Sequence, residues 1–151
     1  MRLPVGERIK QCKGMMELAK VEDRLKELRI ELPAAIMPLA NYVSVVKDGN
    51  LLYMSGAGPF VDGKALYQGK LGAEISMEDG YEAARLSALN LVSTLKRVLG
   101  DLDRVDRIVK LLGFVASAPD FYGQPAVMNG ASDLLVEVFG ERGKHARTAL
   151  G

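Results

Sequence analysis

At 151 residues and 48% hydrophobic content, the chain has the length and apolar material for one domain whose core needs neither disulfides nor metals. Its 20 Lys and Arg against 19 Asp and Glu give a formal charge of +1, so no broad field draws a polyanion such as nucleic acid. A single cysteine, Cys12, and a single histidine, His145, exclude a Cys/His zinc tetrad within one chain.

Met1 to Lys20 is broken by Glu7, Arg8, Lys10, Lys13 and Glu17, which leaves no apolar run of signal-peptide or membrane length, and the expected setting is cytoplasmic. From Met16 to Arg29, the positions Met16, Leu18, Val21, Leu25 and Leu28 fall close to helical spacing, with Glu17, Glu22, Asp23, Lys26 and Glu27 largely opposite. That predicts a short amphipathic helix. Pro33 to Pro38 reads as a linker, so the expected division is an extension over residues 1–40 and a domain over 41–151.

After the linker, Tyr42 to Val46 and Leu51 to Ser55 are β-branched and apolar runs joined by Lys47-Asp48-Gly49-Asn50, a turn suited to positive φ. They predict a β-hairpin, and Tyr67 to Leu71 a further short strand. Ser76 with Asp79 three residues on makes a capping pattern for a helix running to about Gly100. Its expected buried stripe is Ala84, Ala88, Leu91, Leu95 and Val98. Ile108 to Ala116 is apolar on both alternations, as in a strand covered on both faces. Pro125 to Phe139 carries Val127, Ala131, Leu134, Leu135 and Val138 at helical spacing and stops at Gly140. A last strand begins at Ala146. This order gives a sheet with two long helices on one face. The other apolar face then needs a lid, and a second copy of the chain is the expected one.

Few residues suggest chemistry by themselves. His145 has no Gly-x-Ser-x-Gly elbow to pair with, and Gly69-Lys70 lacks the spacing of a phosphate loop. Ser55-Gly56-Ala57-Gly58-Pro59 follows an apolar strand, where small residues either form a tight turn or let a ligand approach the backbone. Lys144-His145-Ala146-Arg147 reads as a solvated basic loop before a strand.

Taken in order, Asn41-Tyr42, Gly49-Asn50-Leu51-Leu52-Tyr53-Met54-Ser55-Gly56 with Pro59, Ala83-Ala84 to Leu95, Val127-Met128-Asn129, and Phe139-Gly140 before Ala146-Arg147 resemble the reactive intermediate deaminase (Rid, YjgF-like) family. The strand ending in Ser-Gly and the Ala-Arg pair are the most specific elements. The N-terminal residues and Asn129-Gly130-Ala131-Ser132-Asp133-Leu134 look like a divergent branch. The resemblance implies a chorismate-mutase-like α/β two-layer sandwich with a mixed sheet, assembled as a homotrimer with ligand clefts between subunits. It also implies hydrolytic deamination of 2-enamine or 2-imino acids to a 2-oxo acid and ammonia, with no cofactor and no metal.

By position, Arg147 matches the arginine that grips a substrate carboxylate and Tyr42 the tyrosine lining the cleft, the implied catalytic pair. Ser55, Gly56, Asn129 and Ala149 match substrate-binding positions. The family continues past the arginine with a strand carrying a Val-Glu-type segment, whereas this sequence stops at Gly151, so the last strand reads as truncated. That glutamate, a candidate for activating water, has no counterpart here by position. A second reading is therefore a module that binds small 2-oxo or carboxylic acids without turnover. A third, endoribonuclease activity, is attached to some family members and fits poorly with the near-neutral charge.

Overall fold

The structure, a computed structural model, describes residues 21–35, 37, 38 and 40–151. Met16 to Lys20 of the expected first helix, Cys12, and Ile36 of the expected linker lie outside the described residues. Val21–Glu27 forms α1, with Val21 and Leu25 buried one turn apart. The Ile30 amide donates to the Leu25 carbonyl while Arg29 takes a φ of 55°, a left-handed stop more often filled by glycine. This helix belongs to the first of two units, residues 1–31, and the second, residues 32–151, carries every other described element.

The hairpin forms from β1, Val45–Asp48, and β2, Leu51–Met54, with Asp48 opposite Leu51. Its turn needs only Gly49 and Asn50, with Gly49 at φ 56°, so Lys47 and Asp48 are strand residues rather than loop. A second hairpin, β3 Phe60–Val61 and β4 Lys64–Ala65, turns at Asp62 and Gly63, both at positive φ. The strand expected over Tyr67 to Leu71 does not form. Gly69 and Gly72, at φ 136° and 83°, take the chain out of extended geometry, and only Leu71 bridges, to Ile75 and Ser117.

Helix α2, Met77–Leu99, starts where the sequence places it: the Ser76 hydroxyl oxygen accepts from the Asp79 amide at 3.0 Å, and Gly100 ends the helix at φ 74°. Its buried face differs from the expected stripe. Ala84, Ala88 and Leu95 are buried, but Leu91 is half-buried and Val98 is 45% exposed, while Val92, Asn90, Ser93 and Thr94 are buried. The cause is packing by irregular chain, which periodicity cannot report. Asn90 donates to the Gly58 and Phe60 carbonyls at 2.9 and 3.0 Å, Thr94 to the Asn90 carbonyl at 3.0 Å, and Ser93 to that of Pro33. Each buried hydroxyl or amide is thereby tied to a backbone group.

The second long helix is divided into α3, Gln124–Val127, and α4, Asn129–Phe139, with the break at Met128. Met128 packs over Gly113, where a Cβ would collide with its thioether. Val127, Ala131, Leu134, Leu135 and Val138 are all buried, as the spacing predicts. Full burial of side chains such as Val92 and Leu134 contributes about 1.5–3 kcal/mol each. Helices α2 and α4 run parallel, since Tyr81 donates to Asp133 at 2.8 Å and Arg85 to Glu137 at 2.7 Å, one turn further along both. Gly130 sits at the closest approach, against the Tyr81 carbonyl.

Strand β5, Lys110–Phe114, pairs in parallel with β6, Ala146–Leu150, across the α3–α4 crossover. Leu111, Gly113 and Val115 are buried, whereas Leu112 and Phe114 are 57% and 78% exposed. Within one chain the second apolar face of this strand is therefore open rather than covered. Among the described residues the strands form three two-stranded ladders, two antiparallel hairpins and the parallel β5–β6 pair.

Candidate functional site

Strand alternation decides where Arg147 points. It stands beside Leu111, on the face of β5–β6 that the helices cover, and not on the open face with Leu112 and Thr148. There Nη1 donates to Asn129 Oδ1 at 2.9 Å and to the Ser132 hydroxyl at 3.1 Å, one from the first residue of α4 and one a turn later. Both bonds use Nη1, so among the described residues the Nη2–Nε edge of the half-buried guanidinium makes no hydrogen bond and keeps its donors. Arg147 and Asn129, two of the expected site residues, are thus brought into contact. Ala149 lies two residues on, half-buried and paired with Gly113.

The Ser132 hydroxyl also lies 3.1 Å from His145 Nε2, and His145 Nδ1 is 2.6 Å from the Gly143 carbonyl. A carbonyl only accepts, so Nδ1 carries the proton in the neutral ring, Nε2 accepts, and Ser132 must donate to it. A directed chain results, from Arg147 through Ser132 and His145 to a backbone carbonyl. Gly143 makes it possible: a Cβ there would run into the Leu135 carbonyl, so no other residue lets the η-turn Gly140–Gly143 pack this tightly on α4.

The remaining expected residues gather elsewhere in the chain. Ser55 ends the first hairpin, where its amide donates to the Ser44 carbonyl at 2.9 Å and its hydroxyl to the Val43 carbonyl at 2.7 Å. Gly56 follows, exposed, with nothing within 4 Å of where a Cβ would be. Tyr42 is 56% exposed and lines an open groove of about 390 Å³ with Met37, Val43, Val45, Arg97 and Val98. Among the described residues, no hydrogen bond joins Tyr42, Ser55 or Gly56 to the Arg147 cluster of the same chain.

Sequence reasoning missed the Ser132–His145 contact and, separately, the buried Asn90. Asn90 is 1% exposed and holds the Gly58–Phe60 end of the small-residue loop, with its Oδ1 unpartnered. Its polarity at a predicted helix interior was the available signal. His145 was weighed only against serine motifs contiguous in sequence, whereas its partner Ser132 comes from the preceding helix. No three His, Cys, Asp or Glu side chains converge as a metal-binding group among the described residues.

Comparison with known proteins identifies the fold. The sequence profile described as "YjgF/chorismate mutase-like, putative endoribonuclease" matches residues 22–150. Protein TCP17 of Trypanosoma cruzi is 50% identical over 133 residues, covering 87% of this chain and 83% of that protein. A crystal structure from Shewanella oneidensis, described as "a putative endoribonuclease", superposes with a TM-score of 0.84 at 40% identity, covering 87% of each chain. The Agrobacterium tumefaciens protein Atu1372, described as of unknown function, superposes at 0.80 with 43% identity, covering 91% of this chain and 85% of that one. With the profile spanning most of the sequence and the α/β architecture shared, the chain belongs to the YjgF/chorismate-mutase-like family.

Proposed function

We propose that this protein hydrolyses small reactive 2-enamine and 2-imino acids to the 2-oxo acid and ammonia, in the cytoplasm, as a homotrimer whose clefts combine groups from two subunits. The observation that carries the proposal is the Arg147 guanidinium, held along one side by Asn129 and Ser132 with its other edge unbonded among the described residues. A guanidinium fork binds a carboxylate through two parallel charge-assisted bonds, each of about 1.5–3 kcal/mol, in a geometry lysine does not reproduce. With the carboxylate so fixed, water adds to the protonated imine carbon. The tetrahedral carbinolamine passes a proton to nitrogen and expels ammonia as the C=O bond forms. The protein's part is to orient substrate and water and to aim dipoles at the changing charge.

The trimer brings the Tyr42, Ser55 and Gly56 group of one subunit to the Arg147 cluster of the next, and this is why one chain holds them apart. The open apolar face with Leu112 and Phe114 supports such an assembly. No described helix is long and apolar enough to cross a membrane.

One observation favours the second reading, a binding protein without turnover: the recorded side-chain partners of Arg147 are an amide and a hydroxyl, with no carboxylate among them to activate water. The two readings part in one experiment. Imines generated in situ by an amino acid oxidase should give accelerated ammonia release with the wild type and none with Arg147→Ala. Binding of a 2-oxo acid by a wild type that does not accelerate release selects the binding protein. The endoribonuclease activity named for relatives fits a chain of charge +1 poorly. RNA cleavage that survives Arg147→Ala and disappears on further purification would remove it.

A further inference from the structure

Behind Arg147 stands a hydrogen-bonded chain of Ser132 and His145. Four distances fix this chain, and with a neutral imidazole each donor and acceptor in it is determined. We propose that Ser132 and His145 are positioning residues, which lock the Arg147 guanidinium so that its Nη2–Nε edge faces the carboxylate of a bound 2-oxo or 2-imino acid. The proposal rests on the reading of Arg147 given above.

The physical case begins with the arginine. Its long side chain loses rotamer freedom when held in one pose, and a free arginine at a strand end meets that cost on every binding event. Here the cost is met in the folded protein. Asn129 Oδ1 and Ser132 Oγ both accept from Nη1, at 2.9 and 3.1 Å, which fixes the plane of the guanidinium as well as its position.

A serine hydroxyl alone would be a poor anchor, because its proton rotates among acceptors. In this chain the rotor is fixed. Ser132 Oγ is 3.1 Å from His145 Nε2, and in the neutral ring that nitrogen must accept because Nδ1 donates to the Gly143 carbonyl at 2.6 Å. The Ser132 proton therefore points at His145, and a lone pair of its oxygen is turned to Arg147. Gly143 itself is held by its close approach to the Leu135 carbonyl, so the chain ends on rigid backbone.

Two measurements test this, the first without any ligand. His145 is the only histidine, so one imidazole appears in long-range 1H–15N spectra. At pH 8 the Nδ1-protonated tautomer is expected. The Nε2-protonated tautomer would reverse the direction of the chain and overturn the positioning role, leaving the reading of Arg147 standing.

The second measurement compares wild type, Ser132→Ala, Ser132→Thr and Arg147→Ala, and the Ser132→Ala/Arg147→Ala double variant. The readouts are Kd for pyruvate by calorimetry, with KM and kcat on oxidase-generated imines. Ser132→Ala should raise Kd and KM about tenfold, the worth of one hydrogen bond to a charged group, with kcat changed less than about twofold. Ser132→Thr, which keeps the hydroxyl, should stay close to wild type. In the Arg147→Ala background, Ser132→Ala should add nothing. Equal losses from Ser132→Ala in both backgrounds, or none in the wild type, would overturn the proposal while a large Arg147→Ala effect preserves the site. An Arg147→Ala variant that binds and turns over normally would remove the site and the positioning role together. Should Ser132→Ala fail to fold by circular dichroism, the Ser132→Thr affinity and the tautomer decide.

Discussion

Gly130→Ala tests the packing of the helix layer on which Asn129 and Ser132 sit. A methyl group at Gly130 would lie 2.9 Å from the Tyr81 carbonyl carbon and 3.2 Å from the Arg85 amide nitrogen, and closest of all to the Tyr81 carbonyl oxygen. These are backbone atoms of α2, so no side-chain rotation relieves the overlap and the helices must part. Overpacking of this kind costs about 1–3 kcal/mol, toward the upper end where backbone opposes it. Parting also stretches the Tyr81–Asp133 and Arg85–Glu137 bonds at 2.8 and 2.7 Å. The Arg85–Glu137 pair is partly exposed and contributes less than about 1 kcal/mol. Against this, alanine gains about 0.5–1 kcal/mol over glycine in a helix. The net loss is about 2–3 kcal/mol, which in a domain of this size lowers Tm by roughly 4–12 °C. Thermal and urea melts of wild type and variant, followed by circular dichroism, read it directly. A variant with equal or higher Tm would mean that the helices do not meet through backbone at this position.

Asn90→Asp turns a carboxylate oxygen toward the Gly58 and Phe60 carbonyls in a buried place; urea unfolding should show a loss of about 3 kcal/mol or more, and a loss under about 1 kcal/mol contradicts the clamp. Phe114→Glu puts a charge on the open face of β5 and should convert the proposed trimer to monomers in sedimentation, with the helix signal kept; a variant that still sediments as a trimer excludes this face from the interface. The hydrogen bond to Asp133, with burial adding to it, raises the Tyr81 phenol above its usual value. A raised folded pKa stabilises the protein fully below the unfolded value of about 10, and the contribution is lost as pH rises through the folded value. The stability gap between wild type and Tyr81→Phe should therefore hold at pH 8 and narrow above pH 10; a gap that widens with alkali would refute the assigned donor direction.

What could be read from the sequence was local. The Ser76 cap, the Gly100 and Gly140 stops and the Gly49-Asn50 turn are set by backbone groups within a few residues, so residue type predicts them. The stripe Val127, Ala131, Leu134, Leu135 and Val138 was legible because that helix meets one partner surface along its length. The Asp62-Gly63 hairpin was legible in principle, but its strands are too short to show an alternating pattern. The strand start at Ala146 follows from the order of elements, whereas the role expected of Arg147 came from resemblance.

Tertiary structure decided the rest. It sent α2 to bury Asn90 and Ser93 under irregular chain while Val98 stayed exposed, because hydrogen bonds to distant carbonyls offset the loss of water and no periodic rule counts them. It also chose the partners of Arg147. Asn129 and Ser132 lie 18 and 15 residues away, on another element. A side chain's face follows from its own strand, but what it meets there depends on where a crossover returns the chain, and that is fixed only when the core packs.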